Sequence, residues 1–270
     1  MSEPTSVPGE LASGLRELMR ARDLLATWTR REFRVRYSQS LLGATWALLQ
    51  PLAVMLIMTV VFSVFLRVPT GGAPYVLFSY VGVLAWTFFA NSIGFAVTSL
   101  VNNMSLVGRI YFPREILPVG SILVGLADFL VAGLLLAPML LWYGVSVGSS
   151  LLWLPLVLAV QIVLMAALSL AASAVTVFFR DVRFLVPLAL QVWMYATPVI
   201  YPVEQVPEWL IPVYFVNPMA ALVDAYRRAL LFDAAPRALP FLWAAASSFA
   251  MLIVSYVAFK RAERRFADVI

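Results

Sequence analysis

The chain has 270 residues, 63% of them hydrophobic and 12% charged, with a formal net charge of +5 and a mean hydropathy of +0.92. A soluble domain is about 45–50% apolar and about 25% charged, and one globule of this size cannot hide so much apolar surface. A soluble enzyme, a DNA-binding module and a disordered tail are therefore excluded, and the composition indicates a polytopic membrane protein. The sequence has no Cys and no His, so thiol nucleophiles, imidazole bases and Cys/His metal sites are excluded too. Its single Lys, Lys260, follows Val257-Ala258-Phe259 and not a Gly-rich turn, which leaves the chain without a P-loop.

Residues 1–40 read as a cytoplasmic segment. Within 11–36, Leu11, Leu15, Leu18, Leu25 and Trp28 recur near helical spacing, with Arg16, Arg20, Arg30 and Arg34 largely elsewhere. This predicts an amphipathic helix lying on the cytoplasmic face. Two roles stand for it: a topology signal with a surface anchor, or the handling of an anionic lipid headgroup. The first apolar run starts some 40 residues in, at full span length, so no cleavable signal peptide is expected.

Stretches free of Asp, Glu, Lys and Arg cover 37–66, 68–108, 129–179, 184–203 and 238–259. A spanning helix takes about 20 apolar residues. The stretches accommodate six spans within a domain of 41–260, at about 42–66, 75–100, 118–143, 151–178, 184–200 and 239–260, with a cytoplasmic tail at 261–270. With the N-terminus inside, 15 of the 19 basic residues fall on the cytoplasmic side, and only Arg67, Arg227, Arg228 and Arg237 fall outside. The positive-inside rule supports that orientation, with both termini cytoplasmic.

Three segments are more than simple spans. The inside loop 102–118 carries Leu106, Val107, Ile110, Tyr111 and Phe112 beside Arg109, Arg114 and Glu115. It reads either as a short helix docked on a partner or as a loop packed on the protein's own helix ends. Asp128 falls about ten residues into the third span, where a carboxylate is costly, and the sequence offers no mid-span Lys or Arg to pair with it. Residues 198–237 combine Pro198, Pro202, Pro207, Pro212 and Pro218 with Tyr201, Trp209, Tyr214 and Phe215. Repeated Pro forbids one long helix and predicts short re-entrant or interfacial helices on the outer face, with an aromatic interfacial belt as the other reading.

Four motifs then fall in order along the chain: Arg36-Tyr37-Ser38-Gln39-Ser40-Leu41-Leu42-Gly43-Ala44-Thr45-Trp46 running on to Leu52; Gly108-Arg109-Ile110-Tyr111-Phe112-Pro113-Arg114-Glu115 running on to Pro118; Phe178-Phe179-Arg180-Asp181-Val182; and Thr197-Pro198-Val199-Ile200-Tyr201 with Val216-Asn217-Pro218. On a six-span frame they resemble the ABC-2 type permeases of polysaccharide exporters, over about Asp23 to Arg261. The resemblance implies an all-α exporter fold with gate helices between spans five and six. It implies export of an undecaprenyl-pyrophosphate-linked polysaccharide such as O-antigen, capsule or teichoic acid across the cytoplasmic membrane. A homodimer is implied, working with two copies of a separate ATPase that binds ATP and Mg; the chain itself would hold no cofactor, metal or catalytic residue, and would bind no nucleic acid.

Mapped onto this sequence, lipid pyrophosphate entry falls to Arg30, Arg31, Arg34, Arg36, Tyr37, Ser40 and Gly43, since Arg forks suit phosphate. ATPase coupling falls to Arg109, Tyr111, Phe112, Arg114 and Glu115. A glycan-stacking channel wall falls to Trp46, Trp86, Phe88, Phe89, Trp193, Tyr195 and Tyr201, by analogy with base stacking. An outer gate falls to Glu204, Trp209, Asn217 and Pro218. The competing readings are an ABC-2 permease for a drug or small lipid and a secondary transporter. The latter lacks convincing support from internal repeats or mid-span ion sites. A membrane glycosyltransferase stands further off, since the acids are scattered.

Overall fold

The structure, a computed structural model, describes residues 16–17, 19–38, 40–107 and 112–266. Leu11, Leu15 and Leu18 of the predicted amphipathic face, and Arg109 and Tyr111 of the predicted coupling loop, lie outside them. The described residues are helical throughout, without a strand.

Helix α1 (Arg22–Tyr37) leads into a 3-10 turn at Gly43–Thr45 and then α2 (Trp46–Met58), which widens into a π-helix over Thr59–Phe65. Gly43 has φ +52°, a left-handed conformation that a Cβ disfavours, and this is where the chain turns into the first span. There follow α3 (Tyr75–Ser99), the short α4 (Met104–Val107), α5 (Ile116–Gly133) and α6 (Leu136–Trp142). Pro138 has no N–H for the Leu134 carbonyl and its ring crowds it, which accounts for the break between α5 and α6. A 3-10 turn at Ser149–Trp153 opens α7 (Leu154–Phe178), and α8 (Val182–Tyr195) comes next.

Among the described residues five helical stretches are long and apolar enough to cross a membrane: Gly43–Phe65, Tyr75–Ser99, Ile116–Trp142, Ser149–Phe178 and Ala238–Glu263. The segment expected as a span at 184–200 is instead the 14-residue α8. At 1.5 Å per residue it reaches about 21 Å, short of the roughly 30 Å hydrocarbon core. The chain turns at 196–201 and continues through 3-10 turns at Val203–Gln205 and Glu208–Leu210, α9 (Ile211–Tyr214) and α10 (Pro218–Leu231), before α11 (Ala238–Glu263).

Helix α3 is the hub, packed against α2, α5, α7, α8 and α10. Polar bonds fix it in place: the Tyr80 hydroxyl donates to the Ala132 carbonyl (2.8 Å), Gln161 Nε2 donates to the Ala85 carbonyl (2.9 Å), and the Tyr75 hydroxyl donates to the Ile200 carbonyl (2.8 Å). In hydrocarbon each such bond spares a polar group from isolation.

Two expectations are corrected. Helix α1 does not simply lie flat on the surface: it packs lengthwise on α5, from Trp28 against Gly120 to Tyr37 against Asp128. Arg227, counted among the outside charges, is 3% exposed inside the bundle. Its guanidinium donates to the carbonyls of Phe78 (3.2 Å), Pro198, Val199 (2.7 Å) and Tyr201 (3.5 Å) and lies 3.5 Å over the Phe78 ring. These bonds satisfy the non-helical backbone at 198–201, as buried irregular structure requires. Gly82 makes room for it, since a Cβ there would stand 2.5 Å from Arg227 Nη2 and 2.6 Å from the Val199 carbonyl oxygen.

Candidate functional site

Where α1 ends, a cavity of about 330 Å³ opens between α1, α2, α3 and α5, lined by Arg36, Tyr37, Ser40, Trp46, Gln50, Asn91 and Asp128 among others. Consecutive residues at the end of α1 bind the carboxylate of α5. Arg36 Nη1 donates to Asp128 Oδ2 and the Tyr37 hydroxyl donates to Asp128 Oδ1, each at 2.8 Å. So Asp128 does have a basic partner, brought from the N-terminal segment and not from another span. It shares one cavity with Trp46 and Gln50, in the first turns of the first span.

The rest of the cavity is polar on one side and aromatic on the other. Asn91 Nδ2 donates to Gln50 Oε1 at 3.3 Å. Pro51 lacks the N–H that would take the Ala47 carbonyl, and both residues line the cavity. The Arg36 guanidinium lies 3.9 Å over the Phe95 ring, a cation–π contact, and its Nη2 is buried with no hydrogen-bond partner. The Tyr37 phenol is pushed up to about 12 by burial first and then by its bond to Asp128 and that group's charge, so it remains a neutral donor at physiological pH. Arg36 and Asp128 offset each other in charge. An anion entering here competes with a carboxylate for the Arg36 fork.

The four predicted entry arginines separate. Arg36 turns inward. Arg30 and Arg34 line a shallow groove with Thr29, Phe33, Tyr37, Ser38, Val124 and Ala127, on the outer flank of the same α1–α5 contact. Arg31 lies over the Trp28 ring at 4.5 Å. Ser40 lines the cavity, and Gly43 supplies the turn below it.

The described coupling residues pack on the protein's own helix ends. Phe112 lies against a cluster with Trp28, Leu100, Tyr256, Phe259 and Phe266. Arg114 Nη1 donates to the Glu263 carbonyl at 2.6 Å. Glu115 is 1% exposed, 2.5 Å from Lys260 Nζ, and accepts from the Tyr256 hydroxyl at 3.2 Å. Glu115 therefore presents no carboxylate to a partner surface; it ties the start of α5 to the end of α11.

The aromatic wall divides as well. Trp86, Phe88 and Phe89 are buried in the core, Phe89 at 0% exposure, although Phe88 also lines the cavity and Trp86 a second pocket. The reason is the central place of α3, whose rings meet Phe129 and Trp193. Trp46 and Tyr195 are exposed, at 51% and 59%. Trp193 is half-buried and donates to Asn217 Oδ1 at 3.0 Å. The Tyr201 hydroxyl donates to the Tyr195 carbonyl (3.1 Å) and receives the Tyr214 hydroxyl (2.9 Å).

At the start of α10 Asn217 is a junction. Its Oδ1 also caps α10 through Met219 N (3.0 Å), and its Nδ2 donates to Thr197 Oγ1 (2.9 Å). Pro218 stands at the first helical position, where its missing N–H costs nothing. Glu204 pairs with Arg237 at 2.6 Å, and Arg237 also reaches Asp224 at 3.2 Å. Trp209 projects from the surface. Sequence reasoning missed Gln50, Asn91 and Arg227. Only Arg227 carried a signal, as one of two adjacent arginines beside Asp224 in a Pro-led helix.

Comparison with known proteins covers nearly the whole of this frame. A family profile described as ABC-2 type transporter matches residues 23–231. The chain is 29% identical over 262 residues to the O-antigen export system permease protein RfbA of Myxococcus xanthus, covering 95% of this chain and 98% of that one. It is 26% identical over 250 residues to a protein of the same description from Klebsiella pneumoniae, covering 92% and 95%. A second Klebsiella pneumoniae protein so described is 28% identical over 206 residues, covering 76% and 79%. The motifs that span residues 36–52, 108–118, 178–182 and 197–218 fall inside the matched profile, and the chain belongs to the ABC-2 type transporter family.

Proposed function

We propose that this chain is the permease subunit of an ABC transporter that exports a lipid-linked O-antigen polysaccharide across the cytoplasmic membrane. The observation that carries the reading is the similarity, over almost the full length of both chains, to proteins described as O-antigen export permeases. A separate ATPase supplies the energy and holds ATP with its Mg²⁺; the absence of a P-loop around Lys260 agrees with that division. Two permease chains pair, because one bundle of helices, each about 10–12 Å across, is too small to enclose a polymer path, and two-fold pairing is the commonest closed assembly. In this reading α8 and the turn at 196–201 together complete a sixth crossing, which puts both termini in the cytoplasm in accord with the charge distribution.

The residues then take the following parts. Arg30 and Arg34 in the α1–α5 groove attract the pyrophosphate of an arriving lipid, and the Arg36–Tyr37–Asp128 cavity receives it, with the Arg36 guanidinium as donor. The loop around 108–112 meets the ATPase. Glu115 and Arg114 pass its displacement to α11 through Lys260 and Glu263. Trp46, Tyr195 and Tyr201 offer ring faces toward the path between the two chains. Asn217, Pro218, Glu204 and Trp209 belong to the outer gate. Reversing the charge of Arg30 and Arg34 together tests the entry role. Export, read as surface O-antigen in cells lacking their own permease, falls while the ATPase still copurifies. Wild-type export by that variant overturns it.

A further inference from the structure

The polar cavity shares Leu84 and Phe129 with a second, larger cleft of about 980 Å³. On α5 the cavity is lined by Gly125, Asp128, Phe129 and Ala132, while the cleft begins at Phe129 and continues to Leu141 on α6. The cleft therefore starts where the cavity stops and runs outward for about 18 Å at 1.5 Å per residue, close to the roughly 15 Å of one leaflet's hydrocarbon. Its lining is apolar except for Ser146 and Tyr226. Leu130, Leu134 and Leu141 at its rim are exposed on a helix long enough to cross the membrane, so it opens sideways to the bilayer.

We propose that this cleft seats the hydrocarbon chain of a lipid whose phosphate or diphosphate head occupies the polar cavity. The inference rests on the headgroup reading of that cavity and adds the second half of the ligand. The order of polarity is that of an amphiphile lying along α5 and α6, with its charged end at Asp128 and its chain pointing toward Leu141. The neck between the two spaces carries a matching group. Tyr226 stands there, 6.2 Å from Phe129 between ring centroids, and its buried hydroxyl has no hydrogen-bond partner. At the neck an amphiphile presents the ester oxygen that joins head to chain, an acceptor for that hydroxyl.

Gly133 gives the test, because a Cβ added there meets nothing within 4 Å. Gly133→Leu fills the cleft without displacing the fold, which its unchanged melting midpoint confirms. The probe is a fifteen-carbon isoprenyl diphosphate with a diazirine at the chain end, offered to the permease with its ATPase in nanodiscs and mapped by mass spectrometry. The diazirine labels residues 133–147, Gly133→Leu lowers that labelling about tenfold, Tyr226→Phe lowers it severalfold, and inorganic pyrophosphate displaces the probe from the wild type. Undiminished labelling in Gly133→Leu overturns the chain site and leaves the headgroup reading intact, as does equal labelling of the cleft by a phosphatidylcholine bearing the same diazirine. Failure of pyrophosphate to displace the probe overturns the headgroup reading itself, and this proposal with it.

Discussion

Arg36 and Arg227 are both drawn inside a membrane protein, and they are held in opposite ways. Arg227 is buried; its donors are spent on four backbone carbonyls and its flat face on Phe78. Arg36 faces a carboxylate, a phenol and an open cavity, and keeps one nitrogen without a partner. A guanidinium saturated by backbone is a strut, because moving it orphans several acceptors at once. A guanidinium shared with one carboxylate beside an empty polar space is exchangeable, because an anion can replace part of what it loses. The difference lies in the partners and in the free volume, and the residue type alone does not reveal it.

Removing the strut has the largest effect. Arg227→Met leaves the carbonyls of Pro198, Val199 and Tyr201 buried without a donor, at about 1–3 kcal/mol each. The melting midpoint in detergent falls by on the order of 10 °C or more, and protease cuts the 196–217 segment first. Arg227→Lys recovers only part, since one ammonium has three protons and no planar fork. A midpoint unchanged by Arg227→Met refutes the structural role.

The Arg36 pair behaves differently. Breaking a fully buried pair costs about 3–5 kcal/mol; here the side chains are 13% and 21% exposed, so Asp128→Asn costs less. Its informative readout is binding. With the competing carboxylate gone, inorganic pyrophosphate binds severalfold more tightly by calorimetry, whereas Arg36→Gln binds it severalfold more weakly. Weaker binding in Asp128→Asn makes Asp128 an orienting partner of Arg36 instead of a competitor for it.

A third charged site lies between these extremes. Glu115 is buried beneath Lys260, which also pairs with Glu263 at 3.0 Å. Lys260→Met strands the Glu115 carboxylate and lowers stability by about 1–3 kcal/mol; adding Glu115→Gln restores part of it. If this clasp transmits motion to α11, the restored double variant still hydrolyses ATP with its partner while exporting less per ATP. Full coupling in that variant confines the clasp to stability.

These contrasts mark what the sequence could and could not disclose. Long apolar stretches are local, and they placed the helical stretches at Gly43–Phe65, Tyr75–Ser99, Ile116–Trp142, Ser149–Phe178 and Ala238–Glu263 close to their observed ends. The bend at Gly43 and the Pro-broken segment at 198–218 were legible for the same reason. Asp128 and Arg36 are separated by 92 positions, and no periodicity links them. Trp86, Phe88 and Phe89 have the composition of a stacking wall, but α3 is enclosed on several sides, and enclosure is a property of the assembled bundle. Helix α10 looked like an interfacial segment because it carries Asp224, Arg227 and Arg228, yet only Arg228 escapes burial.

Asp224 supplies the smallest expected effect and the finest comparison, between a pair that titrates and a strut that does not. Burial raises its carboxyl above the ordinary range, opposed by Arg237 and then Arg228. The folded state therefore holds a proton to higher pH than the unfolded chain does, and the stability this gives is present in acid and fades as pH rises through the raised value. The segment held by Arg237, Asp224 and Glu204 accordingly becomes slightly easier for protease to cut as pH climbs from the ordinary Asp range toward neutrality. Asp224→Asn removes that slope and leaves the Arg227 strut untouched, so the 196–201 turn stays protected at every pH. A slope that survives in Asp224→Asn assigns the titration to another carboxyl, with Glu204 the nearest on the same arginine.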